Sequence, residues 1–284
     1  MMSTFNFNLF LDNCLPFIYK LRNKVIVIKY GGAAMKNSHL KGEVIKDILF
    51  LFSLGIRVVL VHGGGPFIND WLNLLNIEPK FENGIRTTDA KTMEVVEMVL
   101  VGKINKELVN LININDNIGV GLSGKDSNLL LASKMFNDSN NLVGKIDSVN
   151  LKILNLLLDN GYIPVIASVA SSCDLITYNI NADTAAGTIA QALNAEKLVL
   201  LTDTPGILLD IKEPNSLQKK LDIDSIQKLC EENIISGGMI PKVQCCLHAL
   251  KNNVKTTHII DGRIQHSLLF ELLTSDRIGS QIVL

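Results

Sequence analysis

The sequence predicts an α/β protein in which helices cover both faces of a mostly parallel sheet, a three-layer αβα sandwich. Two β-branched runs, VIVIKY and RVVLVH, each stop at a group of glycines, which is typical of buried strands. A helical pattern at 40–54 lies between them, and a second helix is predicted with Pro66 in its first turn. An opening of this kind favours parallel pairing through right-handed crossovers.

The remaining elements are predicted to continue this alternation. An amphipathic helix at 5–22 precedes the first strand, and Asn83-Gly84 predicts a hairpin turn after the second helix. A β-hairpin is predicted from LLLASKMF and NLVGKIDSV. Further strands are predicted at VGLSGKD, IPVIASVA, KLVLLTDTPGIL and THIIDG. Further helices are predicted at 89–113, 150–160, 222–235, 239–253, 266–276 and after NINAD.

Composition excludes several classes of protein. Lys+Arg is 27 and Asp+Glu is 28, so the basic excess of a nucleic-acid binder is missing. No apolar run reaches the roughly 18 residues of a membrane span, and the N-terminal segment lacks signal-peptide and transit-peptide features. The five cysteines have no CxxC spacing and are predicted to be reduced. Heavy use of Asn, Ile, Leu and Lys fits an AT-rich genome, such as an organellar one.

Glycines follow three of the predicted strands. They occur at Gly31-Gly32, at Gly63 to Gly65 and in Thr202 to Gly206. Bare backbone N–H groups and helix N-termini at the carboxyl edge of a parallel sheet bind anions. One such glycine pair is more often a simple tight turn, but three at the same edge favour an anion site.

A fourth glycine group, Gly119 to Gly124, fits the dinucleotide pattern GxGxxG. Its context argues against that function, because no convincing strand precedes it and no clear helix follows. It also approximates a Walker A loop, but Asp126 stands where Ser or Thr must bind magnesium. Phosphates must therefore be held in some other way.

Charged and polar residues flank the three glycine turns. Lys29 closes a buried strand, where an ammonium group is costly unless an anion is near. Lys242 follows a glycine turn, although alone it would more often be a solvated helix residue. Asn181 can cap the next helix with Asp183 in its first turn. Either this stretch only caps the helix, or Asn179 also binds a substrate while Asp183 holds the flanking lysines by ion pairing. Arg86 suits bidentate binding of a carboxylate, or is an ordinary surface charge.

Taken together, these segments resemble the amino acid kinase superfamily, and within it the acetylglutamate kinase branch. The resemblance runs from about residue 13 to the C-terminus. It is carried by LPFIYKLRNKVIVIKYGGAAM, VLVHGGGP, NGIRTTD, GLSGKD, NINADTAAG, LLTDTPGIL, SGGMIPKV and HIIDGR. It implies a roughly eight-stranded sheet in one kinase domain over 1–284. Residues 1–22 would be an oligomerisation helix, 23–175 would bind the acyl amino acid and 176–284 would bind ATP.

The resemblance also implies a role for individual residues. Lys29 and Lys242 would stabilise the transition state on the acceptor side and the ATP side, with Asp183 organising both. Arg86 would hold the substrate α-carboxylate and Asn179 would bind the acetylated substrate. Backbone N–H donors would come from Gly31, Gly32, Gly64 and Gly65. The nucleotide site would include Asp203, Gly206 and Ser236.

The implied reaction moves the γ-phosphoryl group of ATP onto the side-chain carboxylate of N-acetyl-L-glutamate, the second step of arginine biosynthesis. Magnesium would be carried by the phosphates, with few or no protein ligands. The attacking carboxylate is ionised at neutral pH, so no general base is required. Catalysis would then consist of alignment and charge neutralisation.

The resemblance extends to assembly and regulation. The N-terminal helix resembles the one that links dimers into hexamers in arginine-inhibited relatives, and His258 and Glu271 match their effector site. Arg277 stands where those relatives have glycine, and a cation there could crowd or repel arginine. Binding of the PII signalling protein is neither supported nor excluded. The compartment would be the cytoplasm or the plastid stroma, and a plastid protein would then be plastid-encoded.

Rival functions share the fold or the glycine turns. Glutamate 5-kinase, aspartokinase, UMP kinase and carbamate kinase are the nearest, but NINAD and NGIRTTD favour the acetylglutamate branch. A non-catalytic metabolite sensor would not need both Lys29 and Lys242. An NAD-dependent dehydrogenase is disfavoured because the GxGxxG pattern lacks the strand and helix that a dinucleotide site requires.

Overall fold

The computed structural model describes residues 7–82, 84–114, 116–138 and 140–284, with side chains described from residue 13 onward except at 33 and 34. The start of the predicted N-terminal helix, residues 5 and 6, lies outside the described residues. Asn83 of the predicted hairpin turn does so too, although antiparallel strands flank it. None of the described helices has the length and apolar character required to cross a bilayer.

The described part of the chain contains fourteen β-strands. They are β1 (Val25–Tyr30), β2 (Arg57–His62), β3 (Phe81–Glu82), β4 (Ile85–Arg86), β5 (Gly119–Ser123), β6 (Leu130–Lys134), β7 (Gly144–Val149), β8 (Ile163–Ala167), β9 (Val169–Ser171), β10 (Thr177–Asn179), β11 (Lys197–Thr202), β12 (Lys220–Leu221), β13 (Thr256–Asp261) and β14 (Ser280–Ile282).

Ten α-helices are described. They are α1 (Phe7–Leu21), α2 (Ser38–Ser53), α3 (Gly65–Leu74), α4 (Ala90–Glu97), α5 (Asn105–Ile112), α6 (Lys152–Asp159), α7 (Ala182–Ala192), α8 (Ile223–Glu231), α9 (Met239–Lys251) and α10 (Ser267–Leu273). Short 3₁₀ turns lie at Ala33–Lys36, Asp126–Asn128 and Pro214–Ser216, and a π-helical segment covers Met98–Ile104.

Eight strands form one central sheet in the order β12-β14-β13-β11-β1-β2-β8-β5. Every neighbouring pair is parallel except β13 and β14. The predicted fold class, including the mostly parallel eight-stranded sheet, is therefore confirmed.

The two faces of the sheet are buried against different helices. Alternate strand residues point to opposite faces. In β1, Ile26 and Ile28 join a core with α1–α5 and α10, whereas Val27 joins a core with α6–α9. Lys29 is two positions beyond Val27, so strand alternation directs its side chain toward the α6–α9 layer.

Three local features differ from the sequence-based expectation. The helix predicted at 89–113 is interrupted by the π-helical segment between α4 and α5. The single strand predicted at IPVIASVA is two strands, because the chain leaves the central sheet at Ser168 and β9 pairs in another sheet. That second sheet has the order β10-β9-β6-β7, and it contains the predicted β6–β7 hairpin as an antiparallel pair.

The order of the strands decides where ligands can bind. Strand β1 is flanked by β2 on one side and by β11 on the other, and the chain builds the sheet outward in both directions. Tyr30 pairs in register with His62 of β2 and Leu201 of β11, so their carboxyl ends lie side by side. Such a switch point leaves a crevice at the carboxyl edge of the sheet.

Candidate active site

A cavity of about 320 Å³ opens at the carboxyl ends of β1, β2 and β11. It collects residues that the sequence analysis predicted from separate motifs. They are Lys29, Gly31, Gly32, Gly64, Gly65, Arg86, Asn179, Asp183, Asp203 and Lys242. Residues at the ends of β1, β2 and β11 meet because these parallel strands share one edge. Arg86 and Asn179 reach the cavity from β4 and β10, which belong to two smaller sheets.

Two lysines meet at one carboxylate in this cavity. Lys29 Nζ lies 2.8 Å from Asp183 Oδ1, and Lys242 Nζ donates to Asp183 Oδ2 at 3.0 Å. The Lys29 contact is an ion pair by its distance, and Asp183 Oδ1 has no hydrogen-bond partner in the described part of the chain. Lys29 comes from β1, Asp183 from α7 and Lys242 from α9. Both helices cover the sheet face toward which strand alternation directs the Lys29 side chain.

The electrostatics keep Asp183 ionised. Burial of the side chain opposes ionisation, but the charges of Lys29 and Lys242 outweigh it and lower the pKa of Asp183 to about 2. Asp183 therefore carries a full negative charge between two ammonium groups at neutral pH. The trio has a net charge of +1 in a buried cavity, which is a suitable environment for an anion.

The Lys29 ammonium group lies close to the backbone at Gly31. A Cβ atom added at Gly31 would lie 2.8 Å from Lys29 Nζ, so a side chain there would displace the ammonium group from its present position. Gly32 has φ +81°, a left-handed conformation that favours glycine, and it faces Asp203. With glycine at both positions, the Lys29 ammonium group and the backbone that follows β1 can lie close together.

Asn181 and Gly65 begin the two helices that point into the cavity. The Asn181 side chain accepts hydrogen bonds from Asp183 N at 2.9 Å and Thr184 N at 3.1 Å, so the predicted N-cap is confirmed. Helix α3 starts at Gly65 with Pro66 in its first turn, also as predicted. Both N-termini add positive dipole ends that favour anions.

Arg86 lines the cavity with part of its guanidinium unpaired. Its Nη2 donates to Asn69 Oδ1 at 2.6 Å and to Gly65 O at 3.3 Å. Its Nη1 is buried and finds no hydrogen-bond partner in the part of the chain that is described. The Phe81 ring lies 4.7 Å from Cζ, and burial lowers the pKa of Arg86 from its ordinary value. A buried, unpaired donor of this kind is costly without a ligand.

Asn179 is tied to the segment that carries Arg86. Asn179 Nδ2 donates to Thr88 Oγ1 at 3.0 Å, and Asn141 Oδ1 accepts from Thr88 N at 3.1 Å. The strand residue Asn179 therefore holds the NGIRTTD turn against the cavity. It belongs to β10 of the second sheet, whose existence the sequence did not predict.

A second cavity of about 510 Å³ adjoins the first, and the two share Asp203 and Lys242. It is lined largely by apolar residues, among them Ile207, Ile211 and Met239, together with the predicted Gly206 and Ser236. Gly206 has φ +141°, and a Cβ there would lie 2.6 Å from Ser280 Oγ. The wall of this cavity therefore needs glycine at 206.

His258 and Glu271 lie apart from both cavities. Both are buried, and His258 Nδ1 donates to Glu271 Oε1 at 2.7 Å. Burial lowers the pKa of His258 to about 4, so the imidazole is neutral at physiological pH. Arg277 Nη1 lies 3.6 Å from Glu271 Oε1, so the Arg277 side chain already neighbours the carboxylate.

Two residues that contact the cavity lining from behind, Asn69 and Cys245, were missed in the sequence. Asn69 orients Arg86, and it falls one helical turn after Gly65, a spacing that could have identified it. Cys245 donates from Sγ to Asp183 O at 3.0 Å and joins α9 to α7. No local pattern marks Cys245, because its partner is 62 residues away.

Comparison with known proteins agrees with this geometry. The amino acid kinase family matches residues 24–261, most of the chain. The chain belongs to the amino acid kinase family. An acetylglutamate kinase from Gracilaria tenuistipitata is 58% identical over 285 residues, covering 100% of both chains. An acetylglutamate kinase from Trichormus variabilis is 55% identical over 273 residues, 96% of this chain and 92% of that one.

Two solved structures resemble this member of the family in fold. An N-acetylglutamate synthase from Neisseria gonorrhoeae, in complex with coenzyme A and N-acetyl-glutamate, superposes with a TM-score of 0.86 at 25% identity. The alignment covers 98% of this chain, which spans 64% of the synthase chain. A Giardia lamblia carbamate kinase bound to AMP-PNP gives a TM-score of 0.64 at 18% identity, covering 92% and 98% of the two chains.

Proposed function

We propose that this protein is an ATP-dependent kinase that phosphorylates the side-chain carboxylate of N-acetyl-L-glutamate, in the second step of arginine biosynthesis. One observation carries the proposal: Lys29 and Lys242 converge on Asp183 where two cavities meet. Phosphoryl transfer requires positive charge around the moving phosphoryl group more than it requires covalent catalysis. Relatives named acetylglutamate kinase, which are 51–58% identical to this chain, support the choice of substrate.

The second cavity is the proposed site of the nucleotide. Its apolar lining suits a purine ring, and it reaches the first cavity at Asp203 and Lys242. ATP bound there would extend its phosphates toward Lys242. Gly206 and Ser236 belong to its wall.

The first cavity is the proposed site of the acceptor. The free Nη1 of Arg86 would pair with the α-carboxylate of N-acetylglutamate, and Asn179 would bind the acetylated part of the substrate. The side-chain carboxylate would then extend toward Lys29. N–H groups of Gly31, Gly32, Gly64 and Gly65 would surround the transferring oxygens.

The chemistry balances without a proton acceptor. A carboxylate oxygen forms a bond to the γ-phosphorus, the bond from that phosphorus to the bridging oxygen breaks, and ADP leaves with the electron pair. The product is N-acetylglutamyl 5-phosphate. The nucleophile is ionised at neutral pH, so Lys29 and Lys242 need only align the reactants and stabilise the added charge, while Asp183 holds both lysines.

Magnesium is proposed to arrive with ATP and to neutralise phosphate charge. Among the described residues no group of three or more His, Cys, Asp and Glu side chains could hold a metal ion. The donors that face the cavity are ammonium, guanidinium and amide groups, which suit phosphate oxygens. A metal bound mainly to the phosphates fits this set.

The two halves of the chain have proposed roles. Residues 23–175 would bind mainly the acceptor and 176–284 mainly the nucleotide, because all residues lining the second cavity come from the later segment. Asn179 and Asp183 are exceptions, because they belong to the later segment but line the first cavity. The central sheet runs through both halves, since β1 pairs with β2 and β11.

Assembly and regulation complete the proposal. Residues 1–22 would link dimers into a homohexamer, and the 73% exposure of Tyr19 on α1 supports a contact there. His258 and Glu271 would form an allosteric site for arginine. The proposed location is the plastid stroma or the cytoplasm, and the PII signalling protein is a further proposed partner.

The substrate assignment is tested by a coupled assay of ADP release. N-acetylglutamate, glutamate, aspartate and UMP are compared at equal concentrations with the purified protein. We expect N-acetylglutamate to give the highest kcat/KM by a wide margin. Equal or faster turnover of glutamate would overturn the choice of acceptor.

A further inference from the structure

Two fully buried polar side chains, His62 and Asn105, lie beneath the glycine turn that follows β2. His62 shares a strand face with Val58 and Leu60, the face that packs on α2–α5. Asn105 is the first residue of α5 on that same side. Neither residue lines either cavity, so the proposed chemistry leaves both unexplained.

The contacts of this pair specify a single tautomer. His62 Nδ1 lies 3.0 Å from Gly63 O, and a carbonyl oxygen can only accept, so Nδ1 carries the proton. Nε2 then accepts from Asn105 Nδ2 at 3.1 Å. The amide orientation is secured because Nδ2 also faces the carbonyl oxygens of Val165 at 2.8 Å and Leu122 at 3.2 Å.

The surroundings keep the imidazole neutral. Burial lowers the pKa of His62 to about 4, although the bond to Gly63 O opposes this shift. Lys106, the charged side chain beside the pair, donates from Nζ to Asn105 Oδ1 at 3.3 Å. The Nδ1–H donor is therefore present throughout the physiological pH range.

The π-helical segment Met98–Ile104 connects Asn105 to the same turn. Its wider turn changes the direction in which the following residues point. Leu100 and Ile104 pack on Gly64, where an added Cβ would lie 2.7 Å from Leu100 Cδ2 and closer still to Ile104 Cδ1. On the other side, a Cβ at Gly63 would lie 3.2 Å from Ala182 Cβ of α7. The glycine turn is thus enclosed on two sides.

A planar trans peptide bond transmits this arrangement to the cavity. The C=O of Gly63 and the N–H of Gly64 belong to one peptide unit and point in opposite directions. A carbonyl held toward His62 aims the Gly64 N–H away from His62, and Gly64 lines the cavity.

We propose that His62 and Asn105 are positioning residues that hold the Gly63–Gly64 peptide with its N–H facing the transferred phosphoryl group. The inference rests on the proposed kinase function. Asn105 sets the tautomer of His62, His62 orients the peptide, and the π-helical segment keeps the turn close to both.

The pH dependence of kcat in the N105D variant tests the contacts that link Asn105, His62 and the Gly63–Gly64 peptide. At low pH a proton shared between the introduced carboxylate and His62 preserves the Nδ1–H donor, so kcat stays near that of the wild type. Once this proton is lost, the imidazole keeps one proton. If Nδ1 keeps it, Nε2 is left without a proton against a carboxylate; if Nε2 keeps it, Nδ1 can no longer donate to Gly63 O. We expect kcat to fall by about 100-fold with rising pH, the loss that a misplacement of about 1 Å can cause. The wild type should show no such fall.

N113A is the matched control, because Asn113 also ties α5 to a strand backbone through Gly119 N and O, far from the turn. It should lower the melting temperature without a new pH dependence. H62N retains an amide donor near the Nδ1 position and should keep about tenfold more kcat than H62L. An N105D pH profile like that of N113A, or equal kcat for H62N and H62L, would overturn the proposal.

Amide hydrogen exchange of residues 63–65 separates this inference from the substrate assignment. In N105D at high pH their exchange should accelerate relative to N113A, whichever acceptor the enzyme uses. Failure of N-acetylglutamate in the wild-type assay with accelerated exchange in N105D would reject the substrate and keep the positioning role. Unchanged exchange in N105D would reject the positioning role itself.

Discussion

Lys242 of α9 and Asp183 of α7 form an ion pair of 3.0 Å although 59 residues separate them in the chain. Lys29 of β1 approaches the other oxygen of the same carboxylate at 2.8 Å. The carboxylate thereby holds two cations that would otherwise repel each other in a buried site. Their charges are in place before any phosphate arrives, which is the preorganisation that electrostatic catalysis requires.

Replacing Lys242 by alanine should remove most of the turnover and leave the fold intact. The ammonium group lies at the junction of the two cavities, so its loss removes charge where the phosphoryl group passes. We expect kcat to fall by about 100-fold or more, measured by ADP release, with a near-normal melting temperature. Lys228→Ala is the control, since Lys228 is exposed on α8. Near-normal kcat in Lys242→Ala would remove its assigned role.

Asp183 should make stability depend on acid pH. Its pKa in the folded protein, about 2, lies below the ordinary 3.8, so ionised Asp183 stabilises the fold above about pH 4. This contribution is lost as the pH falls toward 2. Asp183→Asn should therefore have a lower free energy of unfolding than the wild type at pH 6, with a smaller difference at pH 3. Urea unfolding at both pH values measures it, and a difference that grows in acid would contradict the ion pairing.

Replacing Arg86 by lysine should weaken binding of the acceptor and spare ATP. Lysine keeps the charge but loses the planar fork whose Nη1 is free for a carboxylate. We expect the KM for N-acetylglutamate to rise about tenfold or more, with the KM for ATP unchanged. Arg57→Lys is the matched control, because Arg57 pairs with Asp159 at the opposite end of β2. A rise in the KM for ATP alone would contradict the assignment of Arg86 to the acceptor site.

Deleting residues 1–22 should convert a larger oligomer into dimers, as measured by light scattering. The deletion also removes the buried side chains of Cys14 and Leu21, so its fold must be checked by circular dichroism. Tyr19→Glu is a milder test, because Tyr19 is 73% exposed and a charge there disturbs a contact between copies without entering the core. An unchanged mass in both variants would refute the assembly role.

Replacing Arg277 by glycine should increase inhibition by arginine. In the wild type, the Arg277 guanidinium neighbours Glu271, the carboxylate proposed to bind the effector. Removing it frees that charge and eliminates repulsion of a second cation. Arginine titrations of wild type and variant give the half-inhibitory concentrations. Equal or weaker inhibition of the variant would separate Arg277 from the effector site.

Much of the fold could be predicted because its signals are local. The runs VIVIKY and RVVLVH, and the glycines after them, identify strands and their carboxyl ends from neighbouring residues alone. The rule that parallel strands share an edge then places Gly31, Gly64 and Asp203 together. The break at Ser168 and the second sheet could not be predicted, because they depend on the pairing of β9 with β6 and β10.

The same division applies to the site. The amino-acid sequence by itself determined which chemical groups are available: two lysines, a capped acidic helix start and an arginine in a glycine turn. Only the tertiary structure decided that Lys29 and Lys242 both contact Asp183. It also decided that Arg86 donates from Nη2 to Asn69 and that His62 contacts Asn105. The physical reason is that hydrogen bonds and ion pairs act over a few ångströms in space, whereas sequence patterns report only on residues that are close along the chain.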